Sequence, residues 1–321
     1  MDSVTQAALG AAIGEATLGK HIGNKGAVLG AIVATIPDLD VALYLFYDKF
    51  EMLSIHRGFS HSIVFSIIGA FLIAYVLQRI KWTKLVSYQR LWIFAWLELF
   101  THMLLDTFTA YGTQLFLPFS GWRVGFDSIN VVDPVYTVPL LIGLICSLFV
   151  FKNKPSRAVY NQIGIAISTL YLLGTFGVKN HVEEHFKTEL AKQNISYHSL
   201  LTMPVGIANI NWYGLAKTSE GLYMQKYSVL NNDQIPFEYF PSNDYLLEGV
   251  NPELVDRMKW FAKGFYTVVK DDDQLRFYNL QVDMRGIIET NGIKAPTAGY
   301  FVIIPQENGG YEFTSGTHKK E

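Results

Sequence analysis

Long apolar runs separated by short polar segments fill the first part of the chain, and the pattern changes near residue 180. Residues 134–151 and 158–178 carry no charge over 18 and 21 positions, and residues 62–78 carry none over 17. A helix needs roughly 17–25 apolar residues to cross a bilayer, so each run predicts a span. Two more runs are apolar but interrupted, 26–47 by Pro37, Asp38 and Asp40, and 91–110 by Glu98, His102 and Asp106. Five spans result. Residues 3–18, rich in alanine and glycine, predict a further re-entrant or interfacial helix. Small residues four apart (Gly10 and Gly14, Gly19 and Gly23, Gly26 and Gly30) have the spacing that lets helices approach closely in lipid. Glycine is also simply frequent in membrane helices, which explains the pattern equally well.

After residue 180 the runs become short. Residues 180–194 predict a helix, and 206–215, 222–230, 261–270, 274–284 and 298–305 predict strands. Asp271-Asp272-Asp273 reads as a hairpin turn. The predicted fold class is an α-helical membrane domain with about five transmembrane helices and an N-terminal re-entrant or interfacial helix, followed by a small α+β soluble domain. The boundaries are 1–179 and 180–321.

Charge supports that division. Only 17% of the 321 residues are charged, against roughly 25% in soluble domains. Residues 1–179 hold 13 Lys+Arg and 10 Asp+Glu, whereas residues 180–321 hold 13 and 18. The single cysteine, Cys146, excludes an intrachain disulfide. Asp2 stands where a secretory signal peptide would be basic, so the first span is expected to act as an uncleaved insertion signal. Loops 79–90 and 152–157 are basic without acids, and Lys20 and Lys25 precede the first span. The positive-inside rule makes these segments cytoplasmic. Loops 48–60 and 111–133, and everything after 178, then lie outside. The expectation is a multi-pass protein of the inner (plasma) membrane, with a cytoplasmic N-terminus and an extracytoplasmic C-terminal domain. Its expected partners are the lipid bilayer and a lipid-like or phosphate-bearing substrate, with no nucleic acid. No feature specifies an oligomeric state.

Ionisable residues inside spans cost about 2.5–3.5 kcal/mol each on insertion scales, so they mark candidate sites. Here they fall in three stretches. In Thr35-Ile36-Pro37-Asp38-Leu39-Asp40, positions i and i+2 of a regular helix point apart. A break at Pro37 would bring both carboxylates to one cavity, or leave one to support the other. In His56-Arg57-Gly58-Phe59-Ser60-His61, Ser60 is a plausible helix N-cap and Gly58 permits a sharp loop aiming His56 toward His61. Arg57 beside a helix N-terminus suits a phosphate. In Thr101-His102-Met103-Leu104-Leu105-Asp106, His102 and Asp106 share a helix face, with Glu98 one turn earlier. Along their spans, Asp38 and Asp40 lie about 18–21 Å from the cytoplasmic end and His102 and Asp106 about 18–24 Å. All three stretches therefore reach the outer third of the bilayer. Arg123, Asp127 and Asp133 in loop 111–133 read as solvated, Glu15 as an interfacial charge, and Gln6 as a weaker candidate.

Imidazoles with carboxylates suit zinc foremost, or manganese or iron, as one or two divalent ions. Such a site activates water for displacement at phosphorus or an acyl carbon. The expected metal ligands are His56, His61, His102, Asp106 and Asp40, and the expected catalytic residues are Asp38, Arg57 and Glu98. Asp38 or Asp40 would act as bridging ligand or base, Arg57 would hold a substrate anion, and Glu98 would orient His102. No nucleophile elbow, P-loop or dinucleotide fingerprint is present.

At MDSVTQAALG, TIPDLD, HRGFSHS, THMLLDTFTAYGTQLF and the following PFS, the chain resembles the YdjM-type family. These are inner-membrane-associated, LexA-binding proteins designated metal-dependent hydrolases. The likeness covers roughly residues 1–135, and the KWFAKGFYTV stretch resembles the extension of longer members. It implies a hydrolase with metal ligands on His56, His61, His102 and Asp106, supported by Asp38 and Asp40. Members often carry histidine where this chain has Gln6. The reading is a membrane-embedded metal-dependent hydrolase acting on a lipid-linked ester or phosphoester near the outer face. The alternatives are a metal- or proton-coupled transporter, and a membrane sensor or regulator with a structural metal site.

Overall fold

The computed structural model describes residues 1–231, 235–281, 288–290, 293–295, 299–305 and 311–317. It divides into two compact units. The first comprises Met1–Ala42, His56–Gly177 and Gly206–Ala208, and the second Leu43–Ile55, Val178–Val205 and Asn209–Glu321.

The first unit is helical. Helix α1 spans Ser3–Ile22 and is capped by the Asp2 carboxylate, which accepts from the Val4 and Thr5 amides. Gly23, at φ 62°, ends it. Helix α2 (Lys25–Ala34) folds back along α1. The glycine spacing now has a physical cause, because Gly10 meets Gly30 and Gly14 meets Gly26. A methyl on Gly30 would come 2.0 Å from the Gly10 carbonyl oxygen, and one on Gly14 would come 2.2 Å from that of Gly26. Backbones this close leave no room for a Cβ.

After α2 the chain bends by 51° into a 3-10 helix, Pro37–Leu45. Helix α3 (Lys49–Ile55) belongs to the second unit. Helix α4 (Ile63–Leu77) is capped by Ser62, whose hydroxyl accepts from the Phe65 amide. Ser60, the expected cap, lies instead in a 3-10 turn, Phe59–His61. Helix α5 (Tyr88–Thr107) is central. Its Leu91, Phe94 and Ala95 pack with Leu18, Leu29, Val33, Ala70 and Ala74, and its Leu105 packs with Ala8, Leu9, Ala12, Tyr136 and Leu140. Helix α6 (Pro134–Ile145) starts on an Asp133 cap and runs into a π-helical turn, Cys146–Val150. Residues predicted as a span (158–178) and a separate helix (180–194) form one helix, α7 (Arg157–Lys192). Lys179 and Asn180 end the apolar run but, unlike proline, remove no backbone hydrogen bond.

Each of the five predicted spans coincides with helix, but five crossings are not established. By length and composition α7 alone is long and apolar enough to cross a membrane among the described residues. Up to three crossings result if each of two bent pairs, Lys25–Ala34 with Pro37–Leu45 and Lys49–His61 with Ile63–Leu77, is one span. The polar groups carried by α5 and the short length of α6 account for the difference. The expected N-terminal helix over residues 3–18 is found within α1 (Ser3–Ile22).

The second unit carries two small antiparallel sheets. The first runs in the order β1 (Ser199–Val205), β2 (Asn211–Lys217), β3 (Gly221–Ser228), β4 (Glu238–Pro241). The predicted strand 206–215 starts only at Asn211, as β2, because Gly206, Ala208 and Asn209 take positive φ values of 78°, 62° and 52° and form the turn before it. The predicted strand 261–270 starts late: Asn251 caps helix α8 (Pro252–Phe261), and Gly264 at φ 79° closes it. The second sheet has the order β10 (Tyr311–Thr317), β9 (Gly299–Pro305), β6 (Gln274–Asn279), β5 (Tyr266–Asp271). Asp271 pairs with Gln274 across the predicted turn. The short strands β7 (Ile288–Thr290) and β8 (Ile293–Ala295) pair with each other. Residues 282–284 and 298 of the predicted strands lie outside the described residues.

Loop 111–133 is not the solvated loop expected, since Arg123, Asp127 and Asp133 are all buried. The Phe126 and Ser128 amides bond to the carbonyls of Thr107 and Phe108, and Asp133 accepts from Tyr171 at 2.7 Å. Glu15 is likewise buried, in a two-pronged pair with Arg157 at 2.6–2.9 Å.

The α1–α2 contact yields a stability test. Gly30→Ala should destabilise the protein by about 1–3 kcal/mol through overpacking. Gly177→Ala, with nothing near its added methyl, should be neutral or slightly stabilising. Thermal unfolding in detergent compares the two.

Candidate metal centre

The helix break after α2 starts the site. The Thr35 and Ile36 amides occupy the Ile32 and Val33 carbonyls, and Pro37 has no amide to offer the carbonyl of Ala34, the last residue of α2. The Ala34 carbonyl accepts from His102 Nδ1 at 2.6 Å. That bond puts the imidazole proton on Nδ1 and leaves a lone pair on Nε2. In the 3-10 helix each residue advances by a third of a turn, so Asp38 and Asp40 face different neighbours. Asp38 turns toward His61 and His102. Asp40 turns toward residues 56–61.

Asp40 organises that loop. Its Oδ1 meets His56 Nδ1 at 2.9 Å, and its Oδ2 accepts from the Arg57 amide at 3.1 Å and the Ser60 hydroxyl at 2.9 Å. The sharp turn expected at Gly58 falls at Arg57, which takes φ 55°, while Gly58 has φ −89°. With its proton on Asp40, the Ser60 oxygen accepts from His61 Nδ1 at 2.9 Å. His61 therefore also presents a lone pair on Nε2.

Four atoms from these segments and α5 converge. His61 Nε2 and His102 Nε2 are 3.2 Å apart. Asp38 Oδ1 lies 3.4 Å from each. Asp106 Oδ2 lies 3.4 Å from His61 Nε2 and 3.7 Å from His102 Nε2. All four atoms fall within 4.8 Å of one another. Donors bound tetrahedrally at 2.0–2.1 Å would be separated by about 3.3 Å. Asp106 Oδ2 is buried with no aligned hydrogen-bond donor among the described residues. With each Nδ1 engaged, a neutral imidazole turns an Nε2 lone pair toward the two carboxylate oxygens. This cluster could hold a metal ion.

Burial is unequal. His61, His102 and Asp106 have side chains 0–1% exposed, and Asp38 is 22% exposed. The site opens on the Asp38 side.

The remaining predicted residues surround the cluster. His56 lies outside the four-donor set, bound to Asp40, with its ring 5.6 Å from that of Tyr111. Asp40 is also outside the set and supports His56 and His61. Arg57 is turned inward: its Nε is 3.2 Å from Asp106 Oδ2, it donates to the Thr109 hydroxyl at 3.0 Å, and it lies over Tyr111. Glu98 makes no hydrogen bond to His102, whose Nδ1 is taken by Ala34 and whose Nε2 faces the cluster. Its buried carboxyl has no hydrogen-bond partner among the described residues and sits against Gly10 and Gly30.

Three contributors had weak sequence signals or none. Gln6 donates to Asp106 Oδ1 at 3.1 Å and to the His102 carbonyl at 3.2 Å, so α1 braces the site without a ligand of its own. The α-amino group of Met1 also ion-pairs with Asp106. The Ala34 carbonyl has no side-chain signature. Only the proline three residues later hints that it is available.

Asp40 provides the sharpest test of this layering. Asp40→Asn should weaken divalent-metal affinity by about 10–100-fold, as loss of an outer partner does. His61→Ala and His102→Ala should weaken it further. Zinc titration of the full chain in detergent measures all three.

The model of the YdjM inner membrane protein family matches residues 1–182. The uncharacterized protein YfhP of Bacillus subtilis (strain 168) is 33% identical over 151 residues, which is 45% of this chain and 45% of that protein. Inner membrane protein YbcI of Escherichia coli (strain K12) is 33% identical over 109 residues, 34% of this chain and 61% of that protein. The chain thus spans less than two thirds of the length of either relative. No solved structure matches it significantly. The matched stretch contains the whole four-donor cluster, and the chain belongs to the YdjM inner membrane protein family.

Proposed function

We propose that this protein is a metal-dependent hydrolase of the inner membrane, acting on a lipid-linked ester or phosphoester. The observation carrying the reading is the cluster of Asp38, His61, His102 and Asp106. Four donor atoms converge with both imidazole Nδ1 atoms already engaged. A divalent ion held there, zinc foremost, would supply Lewis-acid polarisation of a substrate oxygen and activation of water at neutral pH.

The chain's own residues have distinct tasks in this reading. Asp106 is held at Oδ1 by Gln6, which leaves Oδ2 to the cluster, and Arg57 Nε lies 3.2 Å from that same Oδ2. Arg57 contributes positive charge next to the donor set, where an anionic group would collect. Asp40 fixes the His56 ring through Nδ1, which leaves Nε2 to take or give a proton at the rim. Asp38, the one ligand near the opening, lies where substrate arrives. Glu98 shares the helix of His102 but faces the glycine contact, so it has no step assigned.

The membrane arrangement belongs to the same proposal. The basic loops support a multi-pass chain with a cytoplasmic N-terminus, and the α+β domain from about residue 180 onward lies outside. An alkaline-phosphatase fusion after residue 231 should be active and one after residue 154 inactive. The reverse pattern would overturn the orientation.

The chemistry is tested on full-length protein purified without added metal. Elemental analysis should find a divalent transition metal in stoichiometric amount, lost in His61→Ala and His102→Ala. Vesicles of bacterial total lipid should then release phosphate or fatty acid with the wild type only. A chain that binds no metal overturns the reading. The helix broken at Pro37 also favours a second reading, a metal-ion carrier. Zinc flux into liposomes without hydrolysis would decide for it.

A further inference from the structure

The opening of the metal cluster has a chemical character of its own. The 3-10 helix repeats every three residues, so its faces can be read directly. Pro37 and Asp40 form the buried face. Leu39 is 65% exposed. Asp38 shares its face with Val41, which is 48% exposed. Phe59, two residues before His61, is 49% exposed and meets Phe65 of α4 edge-on. Exposed apolar Leu39, Val41 and Phe59 thus stand close in sequence to two of the four donors, Asp38 and His61, with His56 as the polar group at the rim.

These residues are not an isolated patch. Val28 and Ile32, one turn apart on α2, are exposed just before the bend, and α2 with its 3-10 extension is together apolar enough to be one bent span. On α4, Ile67, Ile68 and Leu72 continue an exposed apolar surface beyond Phe65. In a protein of an inner membrane family such surface is covered by lipid. Leu39 and Val41 lie on the 3-10 extension of α2, and Phe59 lies just before α4.

We infer that the cluster opens sideways into the bilayer, between the Asp38–Val41 face and Phe59, and that the substrate's hydrocarbon chain lies against Leu39, Val41 and Phe59. This rests on the hydrolase reading and narrows it. The substrate is a bilayer lipid that presents its ester or phosphate group at Asp38 without leaving the membrane. Leu39, Val41 and Phe59 become specificity-determining residues that touch the chain, while the charged groups touch the head.

The inference is tested on the full chain with Cys146→Ala and single cysteines at Val41 or Phe59, labelled with bimane and reconstituted in phosphatidylcholine vesicles. Leu39→Cys replaces either variant that fails to fold. Leu72→Cys on α4 and Leu85→Cys in the basic loop provide the lipid and water references. Phosphatidylcholine brominated on its acyl chains should quench bimane at 41 and 59 as strongly as at 72. Aqueous iodide should quench there several-fold less than at 85. Iodide quenching equal to that at 85 would show a water-filled mouth and overturn the inference. Metal content of the same proteins reports separately on the hydrolase reading. A metal-free chain with lipid-quenched labels would defeat that reading, and with it the substrate assignment, while leaving the sideways opening in place.

Discussion

Two imidazole nitrogens and two carboxylate oxygens, all offering lone pairs, meet at one point inside apolar helices. Buried acceptors without donors are costly, and more so where water is excluded. The surrounding structure is organised around holding this arrangement. The α2 break releases the Ala34 carbonyl, which sets the proton of His102. The left-handed turn at Arg57 brings Ser60 and His61 under Asp40, which sets the proton of His61. In its neutral form neither imidazole has an Nε2 proton to donate into the crowded point. A cation could satisfy all four groups together.

The close helix contact of α1 and α2 serves the same end at a distance. Glycine against glycine lets the two backbones touch, and that brings α1 near enough for Gln6 to reach Asp106. Helix α5 supplies His102 and Asp106 four residues apart, and its other faces carry the cores on either side. The site is thus assembled from short-range features of three segments on a rigid helical frame. The second unit, with its two small sheets, contributes none of the four donors.

Much of this was open to a reader of the chain. Ionisable groups in apolar runs are expensive enough to be noticed, and i, i+4 spacing put His102 and Asp106 on one face. The roles of Asp38 and Asp40 were harder to separate. On an α-helix they point apart, and only the 3-10 geometry after Pro37 shows that one joins the donors while the other organises residues 56–61. His56 and His61 occupy one motif, yet a left-handed residue between them sends them to different partners. Arg123, Asp127, Asp133 and Glu15 looked solvated because nothing in a linear sequence reveals a partner far along the chain. Glu15 meets Arg157 and Asp133 meets Tyr171 only in the folded chain.

Hydropathy by itself determined that the first part of the chain is helical and apolar, and that costly polar groups are spaced through it. It also placed the change of character near residue 180. These properties follow from local composition and period, which need no knowledge of neighbours. It did not determine where helices bend, how many crossings result, or where strands begin in the C-terminal part. Those depend on positive-φ residues, on π and 3-10 turns and on glycine contacts, whose cost or benefit is set by the packing around them. Tertiary structure alone decided which four donor atoms share a point, because that depends on hydrogen bonds made by the opposite side of each ring. An imidazole presents its Nε2 lone pair only after Nδ1 has found an acceptor, and the acceptors here, Ala34 and Ser60, belong to backbone and loop geometry that folding creates.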